Sequence, residues 1–189
     1  MRIISGHARG INLNAPPGDG VRPTTDRVKE SVFASLGPVD DLRILDLFAG
    51  SGALGLEALS RGAASCVFIE RDRRHIRVLE SNLARVRNAC GRNCNWQTTV
   101  LAVDVRTITK TLAAAAFDII IADPPYAPGA AQLDAAALVA WSEFADWAGD
   151  ALLLLEHPSA MPLPWAPESK WTLRKQKIFG TTTFSFATN

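Results

Sequence analysis

An aspartate, two prolines and an aromatic ring, Asp123-Pro124-Pro125-Tyr126, stand directly after the apolar run Ile119-Ile120-Ile121-Ala122. Such a set suits chemistry at an exocyclic base amine, a poor nucleophile because its lone pair is delocalised into the ring. The Asp123 carboxylate and the Pro124 carbonyl can each accept one N–H and hold the nitrogen with its lone pair exposed. Pro124 and Pro125 restrict the loop, so these acceptors are positioned before the amine arrives. Tyr126 can stack on a base drawn out of its helix. Attack on an activated methyl makes the nitrogen cationic and its proton acidic, so no strongly raised pKa of Asp123 is required. Ring-carbon methylation of cytosine needs a covalent nucleophile, usually Cys, and Cys66, Cys90 and Cys94 all lie outside this loop. The His-x-Glu and Cys-x-x-Cys set of a zinc deaminase is absent from the sequence.

A second constellation is Leu45-Asp46-Leu47-Phe48-Ala49-Gly50-Ser51-Gly52-Ala53-Leu54-Gly55. It sits where a first parallel strand meets its helix, the place where open α/β sheets bind ligands. Gly50 and Gly52 allow the tight turn and close approach of backbone to ligand. The spacing Gly50-x-Gly52-x-x-Gly55 also matches a dinucleotide fingerprint, which leaves a nicotinamide-dependent oxidoreductase as an alternative. Asp46 favours instead a ligand with a cationic amino-acid portion, since a carboxylate there would repel a pyrophosphate. Glu70, 18 residues beyond Gly52, is placed to accept both hydroxyls of an adenosine ribose. Asp104 is placed to accept from the adenine 6-amino group, and equally to cap a helix. Asp46, Phe48, Ala49, Gly50, Ser51, Gly52, Glu70, Arg71, Asp104 and Val105 are the expected contacts of S-adenosylmethionine, which leaves as S-adenosylhomocysteine.

The elements that must position these residues follow from periodicity. Arg43–Phe48, Ser65–Glu70, Thr98–Val103, Phe117–Asp123 and Ala151–Glu156 read as strands alternating with amphipathic helices, the pattern of a parallel sheet covered on both faces. The helices are expected over Ala53–Arg61, Asp72–Asn88, Arg106–Ala115 and Ala130–Ala148. In the second of these, Ile76, Leu79, Leu83 and Val86 make one apolar stripe. Trp171–Ile178 and Thr181–Ala187, around Phe179-Gly180, predict an antiparallel hairpin closing the sheet edge. Ahead of the sheet, residues 1–41 are expected to form an N-terminal extension, a short hairpin plus a helix. It comprises a short apolar start, a loop with Pro16-Pro17-Gly18, and a helix from Thr24 or Thr25 that buries Val28, Val32, Phe33 and Leu36. Residues 42–189 form the catalytic domain.

The chain's 189 residues, 48% hydrophobic and 21% charged, are enough to bury a substantial core. No apolar run approaches a membrane span. Met1–Gly6 carry no secretion-signal pattern, so a cytoplasmic protein with reduced thiols is expected. Cys90 and Cys94 have no nearby partners to complete a metal site. The net charge of +1 hides a segregation: residues 71–110 hold nine Lys or Arg against three acids, and residues 111–169 hold eight acids and no Lys or Arg. Segregated charge steers a polyanion by local potential even when the total is near neutral.

With these motifs assembled, the chain resembles the bacterial RsmD family of small-subunit ribosomal RNA guanine methyltransferases. The resemblance runs through Arg2-Ile3-Ile4-Ser5-Gly6, Ala8-Arg9-Gly10 and Arg22-Pro23-Thr24-Thr25-Asp26-Arg27-Val28-Lys29-Glu30, then the block from Leu45 to Ala63. It implies a class I S-adenosylmethionine-dependent methyltransferase fold, Rossmann-like, with seven strands and one reversed edge strand. The implied reaction is methylation of the guanine 2-amino group in 16S rRNA, within an assembling small subunit and its ribosomal proteins. It also implies that Arg22 and Thr24–Arg27 lie over the cofactor mouth, and that Arg9, Arg22, Arg27 and Lys29 contact RNA. Many relatives carry further basic residues where this chain has Ile11-Asn12-Leu13-Asn14. The acidic segment Ala130–Gly149 is expected to face away from RNA or toward basic ribosomal protein. Asp-Pro-Pro-Tyr serves adenine 6-amino methylation of RNA or DNA equally well, and that alternative stays open. So does a non-catalytic assembly factor that keeps the fold.

Overall fold

Ile44 and Leu45 point to opposite faces of the first strand, and both are completely buried, so both faces of the sheet must be covered. In the computed structural model, which describes residues 1–16, 25–91, 94–126 and 133–189, they are. Seven strands run β1 (Arg43–Leu47), β2 (Ser65–Ile69), β3 (Gln97–Leu101), β4 (Ile119–Ala122), β5 (Leu152–Pro158), β6 (Thr172–Phe179) and β7 (Thr182–Thr188). Their order in the sheet is β3-β2-β1-β4-β5-β7-β6. The first five are mutually parallel, and β7 is antiparallel to both β5 and β6.

The reversed strand is therefore one place in from the edge, not the edge strand itself. The turn at Gly180, whose φ is +63°, folds β7 back into the slot between β5 and β6. Phe184 and Phe186 of β7 are thereby buried, while β6, with Arg174 and Lys175 exposed, takes the rim.

One face of the sheet packs on α1 (Asp26–Leu36), α2 (Ala53–Ser60) and α3 (Arg73–Cys90), through Ile44, Phe68, Ile119, Ile121 and Leu154. The other packs on α4 (Ile108–Thr111), α5 (Ala135–Ala140) and α6 (Ser142–Ala148), through Leu45, Leu47, Ile120, Leu153 and Leu155. Ile3, Ala8, Leu13, Val32 and Phe33 belong to the first cluster, so the segment before β1 shares the core of the sheet. Arg2 and Asn12 form an antiparallel bridge within it.

Two local expectations are corrected. The helix expected over Arg106–Ala115 is a 3-10 turn, Val105–Thr107, followed by the single turn of α4. Asp104 caps that turn by accepting from the Arg106 N–H at 3.0 Å. The alanine-rich helix is two helices, because Trp141 is extended (φ −77°, ψ 94°) and its ring stacks on Phe144 at 5.6 Å. Residues 130–132 of that expected helix lie outside the described residues, as do Pro17, Gly18, Arg22 and Thr24. The buried stripe of α3 also contains a polar residue, Asn82, between Leu79 and Val86. No helix among the described residues is long and apolar enough to cross a membrane.

Candidate active site

The glycine loop follows directly from β1. Phe48 (φ +57°), Gly50 (φ +54°) and Gly52 (φ +77°) all lie in the left-handed region, which glycine tolerates and which costs a Phe roughly 1–2 kcal/mol. The loop is held from below. The Ala49 N–H donates to the Ile69 carbonyl at 3.0 Å, and the Gly52 N–H to the Ala49 carbonyl at 2.7 Å. A Cβ on Gly55 would lie 2.5 Å from the Phe68 ring and 2.8 Å from an Asp46 oxygen, so α2 sits tight on the sheet only because Gly55 has none. Ser51 is buried, and its hydroxyl faces the Met1 sulfur at 3.8 Å.

Four acids mark the carboxyl ends of neighbouring strands. Alternation places Asp46 on the Ile44 face of β1, Glu70 on the Phe68 face beyond β2, Asp123 on the Ile121 face beyond β4, and Glu156 on the Leu154 face of β5. Asp46 is buried and accepts from the Gly55 N–H at 3.0 Å. Burial pushes its carboxyl well above the usual range, the Gly55 bond opposes this, and the carboxyls of Asp123 and Glu70 add to it. Glu70 accepts from the Gly50 N–H at 3.0 Å and from the Asp72 N–H at 2.8 Å, and His75 Nδ1 stands 3.7 Å away. It thus ties the glycine loop to the start of α3.

Asp104 is engaged differently. Arg106 donates to both of its oxygens at 2.9 Å and Arg71 at 3.2 Å. The Arg106 bonds outweigh its partial burial and hold its pKa down at about 2. Its helix-capping role is what the structure displays, while the carboxylate and Arg71 remain at the rim of the site. Val105 is packed into the core beside it.

Asp123 follows β4, and burial pushes its carboxyl up to about 7. The cause is enclosure at the sheet end. Pro124 is buried and Pro125 half-buried. Tyr126 is 41% exposed, but its hydroxyl donates to Glu156 Oε1 at 3.2 Å and lies 2.9 Å from Thr182 Oγ1. Burial pushes the phenol up to about 12. Glu156 and Thr182, on β5 and β7, are site residues that the sequence reading missed. Nothing local distinguishes them from ordinary strand residues.

Lys29 is a correction. It was expected to reach RNA, yet it is completely buried. Its ammonium donates to the Arg2 carbonyl and lies 3.5 Å from Glu57 Oε2. Burial lowers its pKa, and Glu57 opposes that shift. Glu57, also fully buried, accepts from the N–H groups of Ile4 (2.8 Å) and Ser5 (3.0 Å) and from Arg61 Nε (2.8 Å). A helix residue that reads as a surface cation is therefore a structural bolt for the segment before the sheet. Arg9, Thr25 and Arg27 are exposed, and Thr25 precedes α1 without a side-chain cap bond. Arg22 and Thr24 fall outside the described residues.

Asn82 was also missed. Its Nδ2 donates to the Ser51 carbonyl and to the Asn14 carbonyl, each at 3.0 Å, and its Oδ1 accepts from the Asn14 N–H at 2.8 Å.

Comparison with known proteins places this arrangement. The model of a family described as Conserved hypothetical protein 95 matches residues 1–188, and relatives carry the name of its RsmD members. The chain belongs to the RsmD family. The Escherichia coli RsmD relative, named ribosomal RNA small subunit methyltransferase D, is 38% identical over 182 residues, covering 95% of this chain and 85% of that one. The Bacillus subtilis protein named putative rRNA methyltransferase YlbH is 56% identical over 84 residues, which are 44% of this chain and about half, 46%, of that protein. Among solved structures, the putative methyltransferase yhhF of Escherichia coli is 36% identical, with a TM-score of 0.75 over 100% of this chain and 97% of that one. The RsmD-family sheet is that of the class I, Rossmann-like methyltransferases.

Proposed function

We propose that this chain transfers a methyl group from S-adenosylmethionine to the exocyclic 2-amino group of a guanine in 16S rRNA, acting on the small subunit or an assembly intermediate. The single observation that carries the proposal is the row of Asp46, Glu70 and Asp123 at adjoining strand ends beside the glycine loop. Among the described residues no Lys or Arg acts on the Asp46 or Asp123 carboxyl, so a cationic ligand fits the cleft and a pyrophosphate does not. That disfavours a nicotinamide cofactor despite the glycine spacing.

S-adenosylmethionine, when bound, supplies an electrophilic methyl on a sulfonium. Asp46 and the glycine loop suit its amino-acid end, and Glu70 its ribose. Asp123 accepts one amine N–H, the Pro124 carbonyl accepts the other, and the lone pair is left to attack. Transfer makes the nitrogen cationic, and Asp123 is the nearest base for the proton it sheds. Tyr126, anchored through its hydroxyl, presents its ring for stacking. Relatives named for the small ribosomal subunit support the RNA target. Exposed Arg9 and Arg27 and the arginines of α3 supply cations suited to phosphates.

The test is methyl transfer from labelled S-adenosylmethionine to undermodified small subunits, naked ribosomal RNA and duplex DNA, followed by nucleoside analysis. Label recovered as 2-methylguanosine from the ribosomal substrate is expected. Label on adenine or on DNA would discard the guanine assignment. Cofactor binding with no label anywhere would favour an assembly factor.

A further inference from the structure

Glu156 lies one strand beyond Asp123, on the side away from the glycine loop. Ala122 pairs with Leu155 across β4 and β5, so the next residue on each strand, Asp123 and Glu156, stand side by side on the same face. Neighbouring strands are about 4.8 Å apart. Seen from the glycine loop on β1, the β5 and β7 residues Glu156 and Thr182, and the Tyr126 hydroxyl they engage, lie on the far side of Asp123. Glu156 is 8% exposed, and its Oε1 accepts from the Tyr126 hydroxyl. The ring offered for stacking and this carboxylate are thus one tethered unit.

The chemistry of the bases separates them at this point. In guanine one of the two ring nitrogens flanking the 2-amino group, N1, carries a proton, so amine and N1–H form one donor edge. In adenine and cytosine the ring nitrogen beside the exocyclic amine is a lone pair. We infer that Glu156 is a specificity-determining residue whose carboxylate accepts the guanine N1–H while Asp123 and Pro124 hold the 2-amino group. An adenine or cytosine in the same pose would set a lone pair against a buried carboxylate, a mismatch that burial makes costly. The assignment rests on the guanine reading above and deepens it. It also locates the guanine–adenine choice outside the Asp-Pro-Pro-Tyr loop, which serves both amines.

The probe is 2-aminopurine, which keeps the 2-amino group but has a lone pair at N1. Small subunits are reconstituted with guanosine or 2-aminopurine at the nucleotide that wild-type protein methylates, and kcat/KM is measured for both. Wild type is expected to prefer guanosine by at least about tenfold. E156Q, whose amide can donate to N1, is expected to narrow that ratio by about tenfold or more, with cofactor Kd unchanged. An equal loss on both substrates would make Glu156 merely the anchor of Tyr126 and overturn the assignment. So would a wild-type enzyme that methylates both alike, a result that does not depend on the variant folding. A wild type that methylates no ribosomal guanine at all would instead remove the guanine reading itself.

Discussion

The side-chain amide of Asn82 donates to the Ser51 carbonyl at 3.0 Å and so fastens the glycine loop to the middle of α3. The same side chain exchanges two hydrogen bonds with the Asn14 backbone. The loop, the helix and the segment before the sheet therefore meet at one fully buried amide. The three bonds use both amide N–H donors and the amide oxygen, so no smaller or apolar side chain reproduces them.

Asn82→Ala leaves the Ser51 carbonyl and both Asn14 backbone groups without this partner. Stability is expected to fall by about 2–3 kcal/mol, measured by urea unfolding. Because the glycine loop loses its tether, cofactor affinity is expected to weaken roughly tenfold, about 1.4 kcal/mol. A calorimetric Kd unchanged despite reduced stability would confine Asn82 to the fold.

Glu70→Ala removes the acceptor of the Gly50 and Asp72 N–H groups and the proposed ribose contact. Cofactor affinity is expected to drop by one to two orders of magnitude, on the order of 1.4–2.8 kcal/mol, with Glu70→Gln intermediate. An unaltered dissociation constant in Glu70→Ala would exclude the ribose role.

Asp123 must be ionised to accept an amine N–H and later a proton. Burial raises it to about 7 in the folded chain, so kcat/KM is expected to climb with pH through about 7. Its effect on stability has the opposite sense. Between the ordinary carboxylate range and about 7, the unfolded chain has lost the proton that the folded chain still holds, so stability falls as pH rises across that window and levels off above it. Asp123→Asn should be more stable than wild type at pH 8, by a margin that shrinks toward pH 4.5. Asp123→Ala should abolish transfer while cofactor binding stays nearly intact. Cofactor binding lost as fully as turnover would show that Asp123 does not act on the base.

Glu57 and Lys29 form a buried pair, but their partners are unequal. Without Glu57, the Lys29 ammonium keeps one backbone carbonyl and the N–H groups of Ile4 and Ser5 lose their acceptor. Without Lys29, Glu57 retains both N–H groups and Arg61. Glu57→Ala is therefore expected to cost about 3–5 kcal/mol and Lys29→Met distinctly less, by denaturant titration. Equal losses would contradict this asymmetry.

The amino-acid order by itself determined the five parallel strands, the glycine turn after β1 and the proline-stiffened loop after β4. Each depends on interactions among residues close in the chain: apolar alternation, the left-handed turn that Gly50 and Gly52 permit, and the fixed dihedrals of Pro124 and Pro125. The closing hairpin was legible for the same reason, although its place in the sheet was not. Only tertiary packing put β7 between β5 and β6, where Phe184 and Phe186 become buried. The same holds for the polar groups of the interior. Lys29 reads as a surface cation until Glu57, 28 positions later, folds against it. Asn82 has no evident role in the sequence until Ser51 and Asn14 arrive to use it. Glu156 reads as the end of a strand until β4 and β5 pair and bring it beside Asp123. Such roles are set by partners remote in the chain, and local periodicity carries no information about those partners.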